Sequence, residues 1–290
     1  MSPNIFALYS GVALIWGSTW IAITLQLGVV DPMISVIYRF GLAALLMLLW
    51  CGWRRINLKL TLSQHLWVGL QGTLLFGLNY WVLYVASQYV TSGLIAAVFT
   101  CIVFFNALIS RVFLSSPIRP RVIAGGVLGL LGVGLLFHGE LTQVSLTESS
   151  LLGLGLALLA TLLASFGNVV AAKNVSSNQS ITAVNAWAMV YGTVTMVMVA
   201  GVLGVPYNFD FRPTYALSLL YLAFFGSVLT FAGYLRLIET LGPDKAAYMS
   251  MLVPVIALVF SSLFEGFAWS LTAGIGLICI LLGNWVGLRR

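Results

Sequence analysis

Charged side chains are missing from most of this sequence. Lys and Arg number 13 and Asp and Glu seven, so 7% of the 290 residues carry a charge. A soluble domain carries about 25%. Hydrophobic residues make up 61% of the chain and the mean hydropathy is +1.06. The deficit excludes an ordinary soluble fold and puts most of the chain in the lipid bilayer. The net charge of +6 is no nucleic-acid footprint, because the basic residues stand in ones to threes between apolar runs. Cysteine is scarce as well. Cys51, Cys101 and Cys279 all lie inside apolar runs, so free thiols are expected rather than a disulfide framework. No Cys/His spacing suits a metal.

The shortage of titratable groups also restricts the chemistry. Two His and seven acids stand almost entirely at the ends of apolar runs. There is no paired intramembrane Asp, Asp-rich diphosphate motif, P-loop or GxSxG elbow. No enzyme activity and no cofactor is expected. An integral-membrane enzyme or receptor is the alternative class. A retinal site would want a Lys deep in a helix, and a channel would want rings of charge.

Apolar runs long enough to cross the hydrocarbon, roughly 20 residues, recur throughout. They predict an all-α polytopic membrane protein of ten transmembrane helices. The spans are Ile5–Leu27, Met33–Trp53, Leu66–Ser87, Ser92–Leu114, Val122–Phe137, Leu151–Ala172, Thr182–Leu203, Tyr215–Ile238, Lys245–Phe264 and Leu271–Leu288. The first lacks a basic start and a small-residue cleavage site, so it reads as a retained helix. Ten spans gather Arg54, Arg55, Lys59, Arg111, Arg119, Arg121, Lys173, Arg236, Lys245, Arg289 and Arg290 on one face. Arg212 alone lies on the other, and Arg39 is left inside a span. The positive-inside rule makes the basic face cytoplasmic, with both termini there, as in a bacterial-type cytoplasmic membrane.

The polar stretch His138–Ser150 divides the chain into residues 1–138 and 150–290. Each part holds five spans. An odd number makes the two repeats inverted, an architecture of secondary transporters with a midplane site between repeats. A shift of 149 aligns Ala124, Gly125, Leu128 and Gly134 with Ala273, Gly274, Leu277 and Gly283, and a shift of 150 aligns Gly17 with Gly167.

Polar groups inside lipid are costly unless they face a cavity or another helix. Phe76, Asn79, Tyr80, Tyr84 and Gln88 share one helical face of span 3. Span 1 offers Trp16, Ser18, Thr19 and Gln26; span 6 offers Thr161, Ser165 and Asn168; span 8 offers Ser227, Thr230 and Tyr234. Span 9 carries Tyr248 and Pro254, which frees the carbonyl of Ser250. The functional reading is an aromatic and amide cavity that stacks and hydrogen-bonds an amphipathic small-molecule substrate; the bland one is helix-to-helix glue. Arg39 has three readings: a contact for a substrate carboxylate, a side chain that snorkels outward, or a brace through Tyr38 and Asp31. Arg236 and Glu239 read as a local i,i+3 pair or a gate, and Glu265 as a loop residue or a proton site. His65 and His138 read as interfacial. Gly125-x-x-x-Gly129 and Gly283-x-x-x-Gly287 allow close helix contact, within the bundle or in a homodimer. A coupling proton or a counter-substrate is open.

Several stretches resemble the drug/metabolite transporter superfamily in its EamA-like branch of ten-span permeases. They are Leu14-Ile-Trp-Gly-Ser-Thr-Trp20, Tyr38-Arg-Phe40, Ala86–Ala97 with its Thr-Ser-Gly-Leu-Ile-Ala-Ala end, Gly242-Pro-Asp-Lys-Ala-Ala247, Pro254 and Glu265-Gly266. The first half departs from the pattern, with Phe113 near a usual Glu and Ile102 at a common Pro. The resemblance implies that spans 1, 3, 4, 6, 8 and 9 line a central cavity, with spans 5 and 10 peripheral. It also implies gradient-driven export of small metabolites, often amino acids.

Overall fold

A computed structural model describes residues 3–90, 95, 98–136, 138–139, 147–175, 180–249, 252–256, 259 and 270–288. Within these residues the structure is helical, without strands. Ser92, Glu140, Ser176, Asn178, Ser250, Glu265, Gly266, Arg289 and Arg290 lie outside them, as does most of the stretch 91–97.

The helices follow in order as α1 (Pro3–Thr24), α2 (Pro32–Trp53), α3 (Leu62–Ala86), α4 (Ile102–Leu114), α5 (Pro120–Leu136), α6 (Glu148–Val175), α7 (Ile181–Leu203) and α8 (Pro213–Leu241). Next come α9, from Pro243–Ala247 into an apolar helix over Lys245–Ile256, and α10 (Leu271–Leu288). Among the described residues six helices (α1, α2, α3, α6, α7 and α8) are long and apolar enough to cross a membrane. The other four are shorter apolar helices. The fourth predicted span is broken by a turn at Thr100–Cys101, which leaves α4 with 13 residues.

Local chemistry sets the helix ends. Asp31 caps α2, its Oδ1 accepting the Met33 N–H at 2.8 Å, with Pro32 next in the chain. Thr61 and Gln64 form a capping box at the start of α3. Gly204 and Gly242 follow α7 and α8 with φ of +67° and +85°, a region that favours glycine.

Two helices carry a wider turn. α3 contains a π-helical segment at Thr73–Leu78, and α8 one at Phe224–Leu229. Each inserts a residue into the register and rotates the helix face beyond it. In α8 two side chains reach five residues back, Ser227 to the Leu222 carbonyl at 2.9 Å and Thr230 to that of Phe225. The two segments stand 151 positions apart.

The same offset governs the contact of α5 with α10. A Cβ on Gly125 would meet the Gly283 carbonyl and the Gly287 nitrogen. One on Gly276 would meet the Gly132 carbonyl and the Leu136 nitrogen. Adding 151 to 125, 132 and 136 gives 276, 283 and 287, so each contact is the image of the other with the partners exchanged. The helices run antiparallel, backbone against backbone, about a local pseudo-twofold axis. This corrects the shift of 149. That alignment pairs Gly125 with Gly274 and Gly134 with Gly283, each time a seam glycine with one whose Cβ would meet nothing within 4 Å. The two GxxxG runs face each other across this seam within one chain.

Large apolar side chains are exposed on the outside of the bundle, among them Leu49 on α2, Leu151 and Leu158 on α6 and Met198 and Val202 on α7. Such a surface fits lipid rather than water. The protein is an integral membrane protein.

Candidate functional site

A cavity of about 80 Å³ lies at the centre of the bundle. Four elements make most of its wall. α1 brings Trp16, Thr19, Trp20 and Ile23, and α3 brings Leu75, Asn79, Tyr80 and Leu83. α6 adds Ala164 and Asn168, and α8 adds Phe231 and Tyr234. Phe99 and Ile102 contribute beside α4, and Ala247, Val253 and Pro254 on α9. These are the six helices to which the resemblance points, drawn from both sequence halves.

Aromatic rings dominate the wall. Phe231 meets Trp16 at a centroid distance of 5.2 Å and Phe76 at 4.6 Å, both edge-on. Trp16 also meets Tyr234 at 4.8 Å. The helices approach closely because small residues stand at their crossings. A Cβ on Gly17 would strike Ile256 on α9, and one on Gly167 would strike Leu75 on α3.

Among the described residues no charged side chain lines the cavity. Its polarity comes from buried atoms without hydrogen-bond partners: Trp16 Nε1, Asn79 Oδ1 and Asn168 Oδ1. An orphaned buried polar atom costs roughly 1–3 kcal/mol. Three such atoms stand on residues of one chamber wall.

Seven of the residues singled out from the sequence share this wall: Trp16, Thr19, Asn79, Tyr80, Asn168, Tyr234 and Pro254. Five do not. Ser18 Oγ bonds the Tyr221 hydroxyl at 2.5 Å and holds α1 to α8. Thr230 spends its hydroxyl on the π-segment. Tyr248 is buried and donates to the Val122 carbonyl, tying α9 to α5. Tyr84 and Arg39 lie one layer behind Tyr80. Sequence reasoning missed Phe231. It followed polar side chains, and Phe231 stands three residues before Tyr234 on the same face of the regular helix beyond the wide turn.

Arg39 is completely buried and does not snorkel. Its Nε donates to Ser227 Oγ at 3.0 Å, one terminal nitrogen to the Tyr84 hydroxyl at 3.4 Å and the other to the Gly226 carbonyl at 3.4 Å. Its guanidinium lies 4.6 Å from the Tyr80 ring centroid and 5.1 Å from that of Phe40. The brace through Tyr38 and Asp31 does not form: Tyr38 donates to the Asn208 carbonyl, and Asp31 caps α2. Arg39 makes no ion pair with any described carboxylate.

The remaining charges are peripheral. Arg236 and Glu239 form the local i,i+3 pair, both exposed. Asp210 accepts from the Arg212 backbone and guanidinium, which hold its carboxyl below the usual range. Arg212 is therefore neutralised in its own loop. His65 bonds the Tyr191 hydroxyl at 2.8 Å.

The family model for the EamA-like transporter family matches residues 4–138 and 151–288. An uncharacterized transporter of Bacillus subtilis, YoaV, is 26% identical over 96% of each chain. Protein PagO of Salmonella typhimurium is 24% identical over 98% of this chain and 93% of its own. An uncharacterized transporter of Archaeoglobus fulgidus is 26% identical over 90% and 89%. A solved crystal structure shares the fold with a TM-score of 0.80 at 16% identity, covering 99% of this chain and 96% of the other. The chain belongs to the EamA-like transporter family and is a membrane transporter.

Proposed function

We propose that the protein is a secondary permease working by alternating access, exporting small metabolites such as amino acids or neutral amphipathic compounds. Ten spans form two inverted repeats over residues 1–138 and 150–290, with both termini on the cytoplasmic side of a bacterial-type inner membrane. The observation that carries this reading is the chamber itself: an uncharged aromatic wall, drawn from both sequence halves, with three unpartnered polar atoms. Rings offer faces to an apolar group, while Trp16, Asn79 and Asn168 offer one donor and two acceptors. Such a set orients a solute without holding it tightly, which turnover requires. Thr19, Tyr80, Tyr234 and Pro254 complete the contact surface. Ser18, Arg39, Tyr84, Thr230 and Tyr248 support the walls from behind.

Among the described residues no carboxylate lines the cavity, so the reading favours exchange or facilitated flow over protonation of a cavity acid. A counter-substrate is then the coupled partner. A homodimer would need a surface other than the glycine seam between α5 and α10.

Flux tests the function. Purified protein in liposomes, offered a panel of labelled amino acids and neutral amphipaths, should release at least one faster than protein-free vesicles. Asn168→Leu should cut that rate about tenfold, the loss of roughly one hydrogen bond. No flux across the whole panel refutes the transport reading. The orientation has its own test. With the native cysteines replaced, Thr147→Cys should react with an impermeant maleimide on intact cells, and Asn57→Cys only after lysis. Both positions are exposed in the structure. Reaction of both on intact cells refutes the inverted ten-span arrangement.

A further inference from the structure

Behind the Tyr80 ring lies a buried cluster with an excess of hydrogen-bond donors. Arginine only donates, so the Tyr84 hydroxyl must accept from Arg39. Its own proton then goes to Gln26, whose Oε1 accepts at 2.9 Å. That chain of bonds fixes the Gln26 amide: Oε1 faces Tyr84, and Nε2 is left over. Gln26 is 1% exposed and its Nε2 has no hydrogen-bond partner. Ser227 accepts from Arg39 and passes its proton to the Leu222 carbonyl. The Tyr84 and Ser227 oxygens are thus occupied, the guanidinium bonds to Tyr84 and Gly226 are long, and the unused amide donor belongs to a residue that shares the Tyr84 hydroxyl with a full positive charge.

A buried cation without an anion is strongly unfavourable in lipid. The cluster supplies a charge and spare N–H groups, and no described carboxylate answers them. The cluster lies behind the cavity wall: Tyr80 lines the cavity, and one face of its ring is against the guanidinium.

We propose that Arg39 and Gln26 form an anion subsite opening into the cavity past Tyr80. The anion is the carboxylate of the carried solute or a small inorganic anion such as chloride. The route rests on the cavity being the solute chamber, but the site is testable without transport.

The test is binding to the purified full-length protein in detergent, in low-chloride buffer, read as the thermal unfolding midpoint. Phenylacetate should raise the midpoint saturably, and its neutral isostere phenylacetamide should not. Gln26→Leu should move half-saturation to about tenfold higher phenylacetate, the value of one hydrogen bond to a charged group. Arg39→Lys keeps the charge but loses the planar fork, and should weaken binding at least as much. If chloride stabilises saturably and competes with phenylacetate, the inorganic anion is the ligand; if chloride is inert, the carboxylate is. The proposal is overturned if neither anion raises the midpoint, if phenylacetamide matches phenylacetate, or if Gln26→Leu leaves half-saturation unchanged. A protein that passes the flux test and fails this one keeps its transport function and loses only the subsite.

Discussion

Gly132→Leu should abolish the folded protein or lower its melting midpoint by many degrees, while Gly134→Leu, two residues along the same helix, should leave it close to wild type. A Cβ on Gly132 would lie 2.7 Å from the Gly276 carbonyl oxygen, 2.7 Å from the Ile280 nitrogen and 2.9 Å from the Cys279 Cβ. Two of these are backbone atoms of α10, so no rotamer change relieves the clash. α10 would have to move away bodily. Overpacking a tight interior costs roughly 1–3 kcal/mol, and more when the neighbours are rigid. Lipid offers little compensation, because close van der Waals packing rather than water release holds such helices together. Gly134 has open space around it, and a leucine there meets lipid. Size-exclusion profiles and melting curves in detergent check both variants. A monodisperse Gly132→Leu protein with an unchanged midpoint would contradict the seam.

Phe231→Ala should reduce both stability and flux, and more severely than Phe225→Ala, its near neighbour. Phe231 is buried and touches Trp16, Phe76, Tyr80 and Tyr234. Removing such a ring from a core costs about 3–5 kcal/mol, the spread reflecting how far the gap collapses. Here the gap opens straight into the chamber. Trp16 and Tyr234 lose their shared neighbour and the wall loses its shape, so flux should fall at least tenfold even in protein that survives purification. Phe225 is 42% exposed on the outer side of α8. Its truncation should cost less than about 1 kcal/mol and leave flux intact. Equal losses in the two variants would show that the Phe231 web does not shape the site.

Helix order was legible in the sequence because hydropathy in lipid is a coarse, strong signal. Most predicted ends fall within a few residues of the observed ones, since Asp31-Pro32, Gly204 and Gly242 act locally. Asn79 and Tyr80 were legible as wall residues because they recur on one helix face. Three features were not. The wide turns in α3 and α8 leave no composition mark. The glycines of α5 and α10 invite alignment at several shifts, and only the contact itself selects 151. Arg39 left three readings open; depth alone does not say that Ser227 and Gly226, nearly 190 positions later, receive its donors.

A seam of glycine against glycine permits some displacements and forbids others. Sliding α5 along α10 by four residues, about one turn, would carry Leu128 or Leu136 into the place of Gly132, against the Gly276 carbonyl. Translation along the seam is therefore opposed in both directions by side-chain bulk. Tilting about the crossing meets less resistance, because the closest approaches are nearly all between backbone atoms and each helix has open space around Gly134 and Gly274. The last helix of each sequence half is thus held in register against the other, yet left freer to scissor than to slide.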